Sequence, residues 1–124
     1  MNVVMYPKPP LKQVNVAKGY LKFSESNFLM AVRIPRIPKK DVIISYDELY
    51  DVSLVPATKW LDGFLCVRKQ ADKNIPLPRT FLEKSLRDSI ILFSQVYNDE
   101  FFCIYDFLKQ CANINAKKNT SKQQ

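Results

Sequence analysis

The sequence predicts a mainly β, antiparallel domain of seven strands, arranged as a barrel or sandwich and closed by one C-terminal amphipathic helix. Between residues 19 and 96, runs rich in Val, Ile, Leu, Phe and Tyr recur between polar or Pro-containing breaks, the pattern of a meander of short strands. After the acidic start Asn98-Asp99-Glu100, the residues Phe101, Ile104, Tyr105, Leu108, Cys111 and Ala112 fall at helical spacing. The length, 124 residues, suits one domain that buries a core without metal or disulfide staples.

Taken in order, residues 1–18 carry Pro7, Pro9 and Pro10 among lysines and read as an extended arm, with one edge strand at Gln13 to Val16. From Gly19 the runs YLKF and FLMAVRI flank the polar SESN, as in a hairpin. Pro35 and Pro38 turn RIPRIPKK into an exposed basic loop. The runs VIISY and LYDVSLV follow, and Pro56 stops the second of them. The segment ATKWLDG forms a turn ending at Gly63, and FLCVRKQ alternates as a half-buried strand does. NIPLP, broken by Pro76 and Pro78, fits only an edge strand or a strand-like loop, RTFLEKSLRD a short helix or long loop, and SIILFSQV the last strand. The helix spans about four turns, and the polar, basic residues 113–124 are expected to fray as a flexible tail. The predicted organisation is thus an arm at 1–18, one domain at 19–112 and a tail at 113–124.

Composition removes several classes of chemistry. The chain has no His, so triads and dyads built on imidazole and His-containing zinc sites are excluded. Two glycines, Gly19 and Gly63, are too few for a phosphate-cradling loop. Cys66, Cys103 and Cys111 are odd in number and lack C-x-x-C spacing, so they read as small apolar residues in a reducing cytosol. The acidic cluster Asp47, Glu48 and Asp51 has no further carboxylates beside it in the sequence. It reads as solvated acids on a one-turn connection, with Tyr46, Leu49 and Val52 turned inward. No catalytic residue, metal ligand or cofactor is assigned, and no enzyme activity is expected. No secretory signal and no apolar run of about 18 residues is seen, so a cytoplasmic protein without a transmembrane segment is expected.

The junction VIISYDELYDVSLV, with its hydrophobic run, Tyr, two acids, a hydrophobic residue and a later Val, resembles that of bacterial pleckstrin-homology-like domains. GFLCVRKQ, IPLP, SIILF and YNDEFFCIYDFL are similar to that family's second sheet and closing helix, so the resemblance covers about residues 19–112. It implies a pleckstrin-homology-like barrel or sandwich. Recognition of a lipid headgroup is not implied, because Lys18, Lys22, Arg33 and Arg36 are scattered and the SESN turn is neutral to acidic.

Nineteen Lys and Arg against twelve Asp and Glu give a net charge of +7, which attracts nucleic acid, anionic lipid or acidic proteins; peripheral contact with an anionic membrane is not expected. Candidate partner-binding residues are Arg33, Arg36, Lys39 and Lys40 on the basic loop, with Lys59 and Trp60 as a loop anchor. Phe102 and Phe107 lie off the 101/104/105/108 stripe and mark a candidate oligomer contact, a weak homodimer. The expected function is a non-enzymatic interaction module that docks a protein partner through the basic loop and aromatic anchors. The alternative is a small basic nucleic-acid-binding protein, with a composition also compatible with an accessory factor of a phage or mobile element.

Overall fold

A computed structural model of the chain describes residues 6–33, 36, 41–74, 76 and 89–122. Among the described residues there are seven strands: β1 (Gln13–Val16), β2 (Gly19–Phe23), β3 (Asn27–Val32), β4 (Val42–Ser45), β5 (Leu49–Val55), β6 (Gly63–Lys69) and β7 (Ile90–Phe93). Among the described residues one α-helix, α1 (Asn98–Lys122), follows. The strands form two antiparallel sheets, β1-β2-β3-β4 and β5-β6-β7, so the expected barrel is not closed. The reason lies at Tyr46–Glu48, one turn of 3-10 helix that breaks the ladder between β4 and β5 and moves the chain from one sheet to the other.

Alternation along the strands places the core. In the first sheet the paired residues Val14 and Leu21, Leu21 and Met30, and Phe28 and Ile44 all face inward. They meet Leu65, Val67, Ile91 and Phe93 of the second sheet, and Phe101, Ile104, Leu108 and Cys111 of α1. The second sheet is buried on both faces, since Phe64, Cys66, Ile90 and Leu92 form a separate cluster on the other side. Gly19 lies at φ 148° opposite Val32, and a Cβ there would collide with the Ala31 carbonyl, so only glycine fits that start of β2.

Tyr46 is the centre of the aromatic core. It is fully buried, stacked on Phe28 at 6.0 Å and met edge-on by Phe107 at 5.2 Å. Each such pair contributes about 0.5–1.5 kcal/mol beyond the buried area. Its hydroxyl donates to the Ser24 carbonyl (2.7 Å), and burial pushes the phenol well above its ordinary range, so it stays protonated. Leu49 and Val52 are buried with it while Asp47 and Glu48 are exposed, as the sequence predicts for this junction.

Two boundaries differ from expectation. The arm is joined to the domain: β1 pairs with β2 from Gln13↔Lys22 to Val16↔Gly19, and Tyr6 and Leu11 pack on the core. The helix does not end near Ala112 but continues to Lys122, because Asn115 is inside the protein. Its Nδ2 donates to the carbonyls of Tyr46 (2.7 Å) and Leu49 (2.9 Å), and its Oδ1 accepts from the Tyr6 hydroxyl (2.6 Å). A buried polar residue continues the stripe 104, 108, 111, 115 while reading as tail in the sequence. Of NIPLP, expected as an edge strand or strand-like loop, only Asn74 and Pro76 are described, and neither is in a strand; RTFLEKSLRD lies outside the described residues.

Replacing Asn115 by Ala removes three hydrogen bonds at a buried position. At ~1–3 kcal/mol for each polar group left unsatisfied, and with incomplete additivity, a loss of about 3 kcal/mol is expected in urea unfolding. Tyr6→Phe, which removes one of the three, should cost about 1 kcal/mol. The thiols offer a second check. Cys66 and Cys111 are buried, burial pushes the Cys111 thiol up to about 12, and Cys103 is exposed. A thiol reagent should therefore modify one cysteine in the folded protein, Cys103, and all three in denaturant.

Candidate partner-docking site

The loop between β5 and β6 begins where Pro56 ends the ladder. Ala57 is buried and held as if in a strand pair: its N–H donates to Oδ1 of Asn98 (2.9 Å) and its carbonyl accepts from Nδ2 of Asn98 (2.9 Å). The Thr58 hydroxyl oxygen accepts from the N–H groups of Trp60 (3.2 Å) and Leu61 (3.0 Å), and the Thr58 N–H donates to the Leu61 carbonyl (2.8 Å). At the far end a Cβ on Gly63 would strike the backbone of Val55 and Ala57, so glycine lets the loop close on its own base.

That fixed backbone turns two large apolar side chains outward. Trp60 is 84% exposed and Leu61 72% exposed, with the Lys59 ammonium 5.4 Å from the centre of the indole. Beneath them Val55, Pro56, Thr58 and Leu92 line a groove of about 480 Å³. The loop is also tied to its neighbours, since Lys18 in the β1–β2 turn pairs with Asp62 (3.2 Å) and its carbonyl accepts from the Arg33 N–H (2.8 Å). Lys18 therefore joins the Trp60 loop to the start of the basic loop at one end of the molecule.

At the start of the basic loop one charge is paired. The Arg33 guanidinium is exposed but bonded to Asp41 (2.7 Å), which holds its pKa above the ordinary value and neutralises its charge locally. Arg36 is exposed at φ 68°, a left-handed conformation uncommon for a side-chain-bearing residue. Lys39 and Lys40 lie outside the described residues.

The predicted oligomer contact needs correction at Phe107. That ring is 3% exposed and packs edge-on to Phe23 (6.0 Å) and Tyr46, so it is core and offers no partner a surface. Position 107 follows 104 by three residues and precedes 111 by four, which places it within a stripe wider than the one read from sequence. Phe102 remains 46% exposed.

The acids are structural in their contacts. A register shift in β5 between Leu49 and Asp51 leaves Tyr50 out of the ladder with its ring beneath the Arg68 guanidinium (5.6 Å). Asp51 accepts from Arg68 (2.7 Å) on β6 and Lys109 (2.9 Å) on α1. Asp47 and Glu48 take no part in this network. Among the described residues no group of three or more His, Cys, Asp or Glu is arranged to hold a metal ion.

Sequence reasoning missed the residues that build the loop. Asn98 reads as a helix cap, yet its amide is committed to the Ala57 backbone. The spacing Thr58-x-Trp60-Leu61 is a usable signal for a turn closed by a hydroxyl. Nothing local marks Asn98, because its partner is 41 residues away. Comparison with family models, with curated proteins and with solved structures gives no match for this chain.

Asp51 gives the site's frame a pH dependence. Burial raises its carboxyl pKa, but the bonds from Lys109, Arg68 and the Val52 backbone outweigh burial and hold it below its ordinary value of 3.8. A depressed pKa contributes stability above the ordinary value and loses it as pH falls through the folded one. Thermal midpoints should therefore fall as pH drops below about 4, and Asp51→Asn should flatten that fall while lowering the midpoint at neutral pH. Circular dichroism melts of both proteins between acid and neutral pH check this.

Proposed function

We propose that the chain is a non-enzymatic, cytosolic interaction module of pleckstrin-homology-like architecture, and that it docks a protein partner through Trp60 and Leu61. The single observation that supports this most is the conjunction at residues 57–62: five hydrogen bonds fix the loop, and the side chains so fixed face water. A loop free to move would fold such groups back on the protein, because covering apolar area is worth about 25 cal/mol per Å². Holding them outward in advance lowers the ordering cost of binding, and Trp is the residue type most enriched among interface anchors. Lys59, beside the indole, and Arg36 supply positive charge that steers an acidic partner, with Arg33 contributing less through its pairing with Asp41. The four-and-three strand division and the closing helix among the described residues support the family reading, alongside the VIISYDELYDVSLV junction.

The net charge of +7 favours a second reading, nucleic-acid binding, which would need aromatic faces for stacking. Phe23 and Phe28 are core, which leaves Trp60 as the most exposed large aromatic ring among the described residues.

The two readings separate by affinity capture from a lysate of the source cells, with and without nuclease, comparing wild type with Trp60→Ala. The expected result is a defined protein that survives nuclease and is lost with Trp60→Ala by about thirtyfold, the cost of losing a ~2 kcal/mol anchor. Folding stability should stay within about 0.5 kcal/mol, as for an exposed side chain. Since Trp60 is the only Trp, its emission should also shift to the blue on complex formation. Equal capture by both proteins, or recovery of nucleic acid with nuclease-sensitive proteins, overturns the reading.

A further inference from the structure

At the end of the β1–β2 hairpin away from the Trp60 loop lies a second concavity, of about 600 Å³. Its floor is Pro9, Leu11 and the edge of Phe23, and around it stand Lys8, Lys12 and Lys22. Three features decide what it suits. The three lysines are exposed, and among the described residues none has a carboxylate within ion-pair distance. The groove therefore gathers uncompensated positive charge over an apolar floor. Among its described lining residues Glu25 is the one carboxylate, against the three lysines.

The neighbouring strand supplies the second feature. Among the described residues β1 pairs with β2 alone, and the Phe23 N–H donates to the Lys12 carbonyl (2.8 Å). In an antiparallel ladder bonded pairs alternate, so Lys12, Val14 and Val16 bond to β2 and the backbone groups of Gln13 and Asn15 face the free edge. The edge beside the lysines thus offers amides and carbonyls at strand spacing, which an extended peptide satisfies and a lipid or nucleic acid does not. Third, the Phe23 ring is occupied by Phe28 at 5.7 Å and Phe107 at 6.0 Å, so it gives no platform for a nucleotide base.

We propose that this groove and the free edge of β1 bind an extended acidic segment of a partner protein. Its carboxylates meet Lys8, Lys12 and Lys22, one large apolar side chain covers Leu11 and Phe23, and its backbone pairs with Gln13 and Asn15. The site is separate from Trp60.

The probe is a fluorescein-labelled peptide that alternates Glu with Val around one Phe, titrated with the full chain by fluorescence anisotropy. Saturable binding is expected, weakened about tenfold or more by Lys12→Glu with Lys22→Glu, as for loss of complementary charge at an interface. Lys73→Glu with Lys117→Glu, which changes net charge equally at other exposed sites, should leave the affinity within about threefold. Replacing the peptide's Phe and Val by Ser, or methylating alternate backbone nitrogens, should each weaken binding. Trp60→Ala should not, so this result and the fate of the Trp60 reading are distinguishable. Circular dichroism confirms that each variant is folded. The proposal is overturned by equal effects of the two charge-reversal pairs, by indifference to N-methylation, or by the absence of peptide binding. It is also overturned if a thymidine oligonucleotide or phosphatidylserine vesicles bind with the same Lys12 and Lys22 dependence while the peptide does not.

Discussion

Helix α1 and strand β5 are pinned to one another by polar contacts at three levels, and the position of every other element follows from that pinning. Asn98 holds Ala57 just past the end of β5, Lys109 holds Asp51 within it, and Asn115 holds the carbonyls of Tyr46 and Leu49 at its start. The dimensions agree. Seventeen residues of helix from Asn98 to Asn115 cover ~25 Å at 1.5 Å each, and the eight from Leu49 to Ala57 cover ~26 Å at about 3.3 Å each. Apolar packing alone tolerates sliding between a helix and a sheet, whereas buried amides that miss their partners are penalised. The three contacts therefore set the register in which Phe101, Ile104, Leu108 and Cys111 enter the core.

The same pinning explains how two unlike tasks share one strand. At the start of β5 the chain changes sheet in one turn, and the carbonyls freed by the broken ladder are bonded by Asn115 inside the protein. At its end the chain leaves the sheet for the exposed loop, and Asn98 supplies the pairing that the next strand residue would have supplied. The stiffness of the Trp60 loop is thereby inherited from the helix, whose first residue is Asn98.

Much of this architecture is legible from residue order. Runs of β-forming residues place β2 to β6, though β6, expected to be half-buried, is covered on both faces from Phe64 to Val67; the edge strand at Gln13 to Val16 is where expected, and Tyr46, Leu49 and Val52 are inward as their types suggest. The helix was legible for as long as its buried positions were apolar. At Asn115 a buried amide reads as polar tail, because its value comes from carbonyls 66 and 69 residues away. Phe107 was misplaced for a related reason: its ring meets Phe23 and Tyr46, so α1 buries a broader arc than the single stripe read from its spacing. At the docking loop Trp60 and Lys59 stand out by type, while Thr58 and Asn98 do not, since their role is to bond backbone. Counting charges also overstated the basic loop, where Asp41 offsets Arg33. The lysines around the hairpin groove were dispersed along the sequence at 8, 12 and 22 and came together only through the pairing of β1 with β2.

The bond between Tyr6 and Asn115 spans 109 residues. Closing so long a loop costs more chain entropy than closing a hairpin, and the contact returns little until the strands between are in place. It belongs to the last stage of assembly. Once made, it links the earliest described residue to the buried turn of α1, so that neither segment can peel away without orphaning polar groups under the other. Opening at either segment therefore exposes polar groups of the other, and the two are expected to open together.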